Sequence, residues 1–534
     1  MHTECYPISI LPRLSRLFLA YAEHREPMAP YYSATPWSRD WAKRPVTIDA
    51  AVRAGIADLL EEQNRGFGAG AETLANIARL REGAAAVITG QQVTLFGGPL
   101  FTLLKAATAI RKAREANAVP IFWMATEDHD LEEADHVSFP TKHELLKLKL
   151  AHVEGSAGKP VGGVKLGEGI AAVLEEAAGL LGPSDVLDAI EASYTPDATY
   201  AEAFGKLLTK IFAGTGLVLI DAASRGFHAL GAPVLRAGIE RAAELEAALL
   251  ERGKRLEADG YAAQVLVNPN SSLLFLIDKD GHGENGIRLA LKRREGDVWT
   301  AGKRSYTTAE LLAILEAEPE RLSPNALLRP VFQDFILPTA AYIGGPAEIA
   351  YFAQSQVLYE KILGRTTAVL PRLSATLVEP AIAEVMKQHG LSVDDVLHQR
   401  PEELAARLGA RAIPIEGKQK LAAAGNALDA ELNEVTAWMT KLDDSLGRSA
   451  GVAASKMRYQ MNRLRRMAAN FQLQKEASLR KHVDAIYLAL YPDQHLQERA
   501  VGAAAFLAKY GMELAAELVE HAAQECPGHR VISL

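Results

Sequence analysis

Apolar positions change their spacing twice along this chain. Over residues 50–82 they alternate with polar ones at helical intervals, which predicts helix. Ala84–Thr89 is then a short continuous apolar run ending in Gly90, the mark of a buried strand. A helical pattern runs from Pro99 to about Glu115, and Val119–Ala125 (VPIFWMA) is a second buried run, closed by charged residues. Strand, helix, strand at this spacing makes a βαβ unit and predicts a parallel sheet. Leu217–Asp221, Leu273–Asp278 and Thr367–Leu370 are further strand candidates, with Ala- and Leu-rich helices such as Glu240–Ala258 between them.

From about Pro380 the pattern is helical almost throughout. Leu421, Leu428, Val435 and Leu442 recur every seven residues, and Leu432, Met439 and Leu446 sit four after three of them, with Gly425 in the matching place after Leu421. This is a heptad seam. Gly447 and Gly451 offer a break, and Met457, Met461, Leu464, Ala468 and Phe471 make a second seam. The pattern predicts an antiparallel helical hairpin over about 418–490, within a helical domain 379–534 that follows an α/β core 1–378.

The chain has 534 residues, 49% hydrophobic and 23% charged, enough for a large core. Its formal net charge of -8 argues against general nucleic-acid binding. Charged residues Glu4, Arg13 and Arg16 interrupt any signal-peptide run, and no apolar stretch is long enough for a bilayer. Of the two cysteines, Cys5 and Cys526, no disulfide framework can be read, so a reducing compartment, the cytoplasm, is expected.

Four stretches could carry chemistry. After the first strand come Gln91, Gln92 and the Gly97-Gly98-Pro99 turn, followed by Thr102 and Lys105 three residues apart on a helix. Glycines let a backbone approach a ligand, helix starts attract anions, and the lysine could reach a phosphate. The bland reading is a tight turn with a solvent-facing lysine. After the second strand comes Glu127-Asp128-His129-Asp130, where parallel sheets place ligands. These groups could act as acid and base, bind an amine or hold Mg²⁺, or form a solvated acidic loop. The third stretch, 323–352, sets Asn325, Arg329, Gln333, Asp334, Tyr342, Gly345 and Glu348 among apolar residues and repeats the Gly-Gly-Pro device at Gly344. The fourth, Arg448 to Lys481, has nine Lys or Arg against one acidic residue, Glu476, and reads as an anion site, a subunit contact or a solvated basic face.

Ile88–Gln92 (ITGQQ), Gly98–Lys105 (GPLFTLLK), Glu127–Glu133 (EDHDLEE), Ser323–Asp334 (SPNALLRPVFQD), Tyr342–Tyr351 (YIGGPAEIAY) and Leu496-Gln497-Glu498-Arg499 together resemble the signatures of the bacillithiol cysteine-adding enzyme family, in order and over nearly the whole chain. The resemblance implies a Rossmann-like parallel-sheet core similar to class I nucleotidyltransferases and aminoacyl-tRNA synthetases, with helical insertions and a C-terminal coiled-coil domain that makes a homodimer. It implies a ligase that attaches L-cysteine to glucosaminyl-malate by an amide bond. The cofactor is left open, with ATP or another nucleotide the leading expectation. Gly98 and Pro99 stand where that fold class keeps a nucleotide-binding His-x-Gly-His motif, whose histidines this chain lacks. Arg372, Ser374 and Thr376 stand where related enzymes keep a mobile lysine-rich loop. The expected roles are Asp128 or His129 as proton acceptor, Glu127 and Asp130 beside them, and Lys105 and Arg329 neutralising phosphate charge. A metal-dependent hydrolase or a non-catalytic coiled-coil scaffold are the alternatives.

Overall fold

The computed structural model describes residues 2–23, 28–43, 46–279, 286–475, 477–523 and 526–534; Glu476 lies outside them. Five parallel strands, β1 (Ala86–Gln91), β2 (Val119–Met124), β3 (Val218–Asp221), β4 (Thr339–Gly344) and β5 (Ala368–Pro371), lie in the order β5-β4-β1-β2-β3. β2 and β4 are buried along their whole length, and β1 everywhere but Gln91. Both faces are covered, which is why β1 and β2 read as unbroken apolar runs. Trp41, Val87, Ala109, Ile343 and Leu370 belong to the core cluster on one side of the sheet.

The chain moves outward from β1 to β2 and β3, then returns on the other side of β1 as β4 and β5. The order reverses between β1 and β4. At such a switch point the connections diverge and leave a crevice beyond the carboxyl ends. The registers Gln91↔Met124, Met124↔Asp221 and Gly344↔Pro371 bring these ends to one edge. β3 is an edge strand, and the helix Ala50–Gly66 covers it. Asn64 exchanges hydrogen bonds of 2.8 and 2.9 Å with the Leu219 backbone, and Gln63 does so with Asp221 at 2.7 and 3.1 Å. Backbone groups open to a foreign strand are thereby paired.

Several expectations change. Residues 50–82 form two helices, Ala50–Gly66 and Ala71–Glu82. Leu273–Asp278 lies in a strand, but in a separate antiparallel sheet of Ser271–Asp278, Ile287–Arg293, Trp299–Ala301, Arg304–Tyr306 and Leu322–Pro324. β4 falls inside the third candidate stretch, where flanking polar residues hide its apolar run.

Two compact units are formed. The first comprises Met1–Thr141, Leu145–Thr376 and Gln497–Ile532; the second comprises Lys142–Glu144, Leu377–Leu496 and Ser533–Leu534. Pattern alone puts Gln497–Ile532 with the helical region, yet it packs with the first unit. Cys5 and Cys526 also correct the reading of the sequence. They form a disulfide, Cα atoms 5.7 Å apart, because the strand His529–Ser533 lies between His2–Tyr6 and Ser374–Val378 in a small sheet. The argument for a reducing compartment from the cysteine count falls with it. Among the described residues no helix is long and apolar enough to cross a membrane.

The second unit contains the expected hairpin, α3 (Ile415–Leu442) and α4 (Asp444–Lys475), once α1 (Phe101–Glu115) and α2 (Pro346–Leu363) of the first unit are counted. The turn comes at Asp443, whose carboxylate caps Ser445 N at 2.8 Å and Leu446 N at 3.0 Å. α4 then runs unbroken through Gly447 and Gly451, which correct the expected break. The buried row of α4 is Gly447, Ala454 and Met461, seven apart. Met457, Leu464 and Phe471 of the expected second seam are instead exposed, at 50%, 53% and 63%.

Candidate active site

The crevice between β1 and β4 is floored by a buried ion pair. α1 carries Lys105 back toward the end of β1, where its ammonium donates to Gly90 O at 2.7 Å and Gln91 Oε1 at 2.9 Å and meets Glu348 Oε2 at 2.5 Å. Three donors face three acceptors, so the expected free, phosphate-seeking lysine is corrected: its charge is already met. Burial lowers the Lys105 pKa, with Glu348 opposing. Glu348 stands in the first turn of α2 and also accepts from Tyr342 Oη at 2.6 Å and Gly345 N at 2.8 Å. Burial works against its charge, but Lys105 prevails and the carboxyl lies below its usual range. Arg329 donates to Tyr351 Oη at 2.7 Å, and its guanidinium lies 5.8 Å from the Tyr342 ring centre.

The Gly97-Gly98-Pro99 turn is closed by protein. Leu100 N donates to Val501 O at 2.9 Å and Ala503 N to Gly98 O at 3.0 Å, and α1 begins only at Phe101. Gly98 is required, because its φ is 71° and a Cβ would meet Thr94 Oγ1. The buried hydroxyls of Thr94 and Thr102 have no hydrogen-bond partner. Gly98 and Pro99 therefore do not offer the bare backbone expected of a phosphate loop.

At the end of β2 the acidic cluster divides its labour. Asp128 is half-buried; its Oδ2 accepts from Gln92 Nε2 at 2.9 Å and its Oδ1 from His129 N at 2.8 Å. Gln92 also donates to Glu133 at 2.5 Å. Val161 N and Gly162 N clamp the loop backbone through Asp128 O and Thr126 O at 2.7 and 2.9 Å. His129, also partly exposed, has Arg288 Nη1 3.4 Å from its Nδ1. Arg288 stacks on Phe275 at 3.8 Å and donates to Ser323 Oγ and Pro324 O at 2.9 and 3.0 Å, linking the second and third stretches. Asp128 and His129 are thus braced yet open.

The other two members serve structure, which corrects their catalytic assignment. Glu127 lies 2.8 Å from Nε2 of the fully buried His228, whose Nδ1 donates to Leu322 O at 2.9 Å. The two groups form an ion pair. Burial opposes the imidazolium, but Glu127 outweighs it and raises its pKa. Asp130 caps the Leu131–Ala134 turn through Glu133 N at 3.3 Å. Asp221, ending β3, accepts from Thr126 Oγ1 at 2.5 Å, and burial holds its carboxyl above the usual range.

Further expected ligand residues are also absorbed by the fold. Asn325 caps Leu327 N and Leu328 N at 3.0 and 3.1 Å. Gln333 donates to Asp334 at 2.9 Å, and Asp334 also accepts from Tyr359 Oη at 3.0 Å and from Thr367. Both are fully buried, and desolvation raises the Asp334 pKa. A mid-helix Gln-Asp pair reads like a site because the network that satisfies it comes from distant residues.

Arg372 and Ser374 belong to no mobile loop. Arg372 grips Glu498 with two nitrogens at 2.9 and 2.5 Å, and Glu498 also accepts from Ala375 N at 3.1 Å and Ser374 Oγ at 3.3 Å. Since Ser374 donates to Glu498, it accepts from His529 Nδ1 at 2.9 Å, which leaves Nε2 to accept from Thr376 Oγ1 at 2.9 Å. The imidazole is neutral, and burial pushes its pKa down to about 4. Its ordinary value is about 6.5, so between those limits the unfolded chain holds a proton that the folded one lacks. Stability present above about pH 6.5 is then lost as pH falls toward 4, by on the order of 3 kcal/mol. Urea unfolding at pH 7 and pH 5 checks this: His529→Asn should lose less stability between the two than the parent, and equal losses would refute it.

Sequence reasoning missed Arg288 and His228 entirely. Glu498 was visible only as part of a C-terminal motif without a role. Comparison with known proteins bears on what this edge does. Residues 1–373 match the description "Bacillithiol biosynthesis BshC, N-terminal Rossmann-like domain", and residues 375–534 match "Bacillithiol biosynthesis BshC, C-terminal coiled-coil domain". A relative from Koribacter versatilis is 43% identical over 100% of both chains, and one from Solibacter usitatus is 35% identical over 100% of both. One from Symbiobacterium thermophilum is 32% identical over 91% of this chain and 90% of its own. All three carry the name cysteine ligase BshC, in line with the expected ligase. The chain belongs to the BshC family of bacillithiol biosynthesis.

Proposed function

We propose that this protein joins L-cysteine to the amine of glucosaminyl-malate, the step that completes bacillithiol, at the carboxyl edge of the sheet. The observation that carries the reading is Asp128 with His129: two partly exposed acid–base groups, braced by Gln92 and Arg288, at the end of a buried strand. A carboxylate is inert to amines at neutral pH, so the cysteine carboxyl must be activated first. A nucleotide, when bound, would supply that activation. Arg329, whose hydrogen bonds among the described residues go to the neutral oxygens of Gln333 and Tyr351, fits its phosphate charge. Asp128 takes the proton that the attacking nitrogen sheds as the C–N bond forms and the activating group leaves. The hairpin makes the homodimer, and the setting is the cytoplasm.

Incubation of the protein with L-cysteine, glucosaminyl-malate and a panel of nucleotides, followed by mass spectrometry for bacillithiol, tests the reaction. Asp128→Asn should slow it by about 100-fold, the scale of acid–base assistance, while the urea midpoint stays unchanged. Product formation at the parent rate in Asp128→Asn would sink the assignment.

A further inference from the structure

Four cations surround the switch point, and among the described residues only two are in a direct ion pair. Lys105 pairs with Glu348 and Arg372 with Glu498. Arg329 binds neutral oxygens. Arg499 has no hydrogen bond or ion pair among the described residues and stands exposed, its guanidinium 5.7 Å from the centre of the Phe101 ring. Arg372 lies at the same 5.7 Å from that ring, and Lys105 Nζ at 5.9 Å. Phe101 is the first residue of α1, so the ring collects three cations at the helix start.

Arg499 is held there by the fold. It belongs to the short helix Gln497–Ala500, whose Glu498 is locked by Arg372, Ser374 and Ala375 N. The following residues are tied to the Gly98 turn through Val501 O and Ala503 N, and Gly502 N donates to Ser138 O at 2.8 Å. Gly502 cannot carry a side chain, because a Cβ would lie 2.5 Å from Val137 and 2.6 Å from Phe139. Closing the Gly-Gly-Pro turn thus serves to present a guanidinium. With Lys105 neutralised by Glu348 and Arg372 by Glu498, Arg499 and Arg329 are the charges left over at this edge, and such an excess attracts an anion.

We propose that Arg499 is an anion-binding residue of the active site, taking a carboxylate or phosphate group of the substrate beside Phe101, with Arg372 backing it. This rests on the reading of the carboxyl edge as the active site and adds to it a ligand class and a residue. The planar fork of arginine suits either group, since both offer two oxygens. The two sources are a dicarboxylate such as the malate portion of the acceptor and the phosphate of the activating donor.

Calorimetric titration of the full-length protein with L-malate, and separately with inorganic phosphate, tests the proposal. At least one should bind at millimolar concentration; malate points to the acceptor and phosphate to the donor. Arg499→Gln should weaken that binding by about tenfold or more, the scale of a lost charge-assisted contact. Arg499→Lys should fall between, keeping charge without the fork, and Arg236→Gln, on another surface, should bind as the parent does. Because Arg499 is exposed, these changes leave the fold intact. The proposal is overturned if neither anion binds, or if Arg499→Gln binds as tightly as the parent. Asp128→Asn separates this idea from the reaction. If it still ligates while Arg499→Gln loses the anion, the proton-transfer role falls and the anion site stands.

Discussion

Lys105→Met should lower the unfolding free energy by about 3–5 kcal/mol at neutral pH, because it strands a buried carboxylate. Glu348 would keep Tyr342 Oη and Gly345 N, at 2.6 and 2.8 Å, but lose the ammonium now paired with it at 2.5 Å. Gly90 O and Gln91 Oε1 would lose a donor as well. Two hydrogen bonds survive at the carboxylate, so the lower end of the range is expected. Adding Glu348→Gln should restore a good part of the loss, because the neutral amide no longer carries an unpaired charge. Urea unfolding of the parent, the single and the double variant reads all three. A loss under about 1 kcal/mol would mean that water already reaches the pair, and that Lys105 is available to a ligand after all.

Met457→Asp, Leu464→Asp and Phe471→Asp together should convert a homodimer into a monomer. Along α4 these residues recur every seven positions and stay at least half exposed, while the Gly447, Ala454 and Met461 row packs inside the hairpin. On α3, Val435, Trp438 and Leu442 are exposed too. Neither α3 nor the helix Pro401–Ala412, which also packs on α4 beside Ala469, covers this second apolar stripe. Covering a fully exposed side chain of this size is worth about 1.5–3 kcal/mol and a half-exposed one part of that, so six across a dimer favour association. Charge supports self-pairing: α4 is rich in arginine and α3 carries Glu431 and Glu434, while Asp429 already pairs with Arg458 within the hairpin at 2.7 Å. Light scattering at micromolar concentration checks the outcome. A parent protein that is itself monomeric would defeat the idea, and a triple variant that remains dimeric would move the interface elsewhere.

Much of the fold was readable where one physical signal dominates. β1 and β2 are covered on both faces, so nothing polar interrupts them and their runs stand out. β4 is just as buried, but Gln333 and Asp334 precede it and Glu348 follows, and those polar residues disguise the strand. Heptad spacing disclosed the hairpin but not which heptad row faces inward, because glycine and alanine pack helices closely while larger residues face out. At the candidate site, the place of Asp128 and His129 at the end of a buried strand was legible from position alone. Glu127 and Asp130, adjacent in sequence, could not be told from them, since the difference lies in a histidine 101 positions away and in a local cap. Arg499 was invisible as a site residue because the contacts that place it join segments some 400 residues apart.

The order in which segments return to the first unit bears on how such a molecule could be rebuilt. Leu377–Leu496 leaves that unit after Thr376 and the chain re-enters at Gln497. The two stumps are neighbours: Glu498 Oε2 lies 3.1 Å from Ala375 N and 3.3 Å from Ser374 Oγ. Apart from Lys142–Glu144 and Ser533–Leu534, the hairpin-bearing unit is therefore a guest spliced in between Thr376 and Gln497, and a few-residue bridge could span the gap left by removing that stretch. Oligomerisation and chemistry would then be separable cassettes. A lineage could lengthen, trade or discard the guest while the sheet edge and its arginines stay where they are.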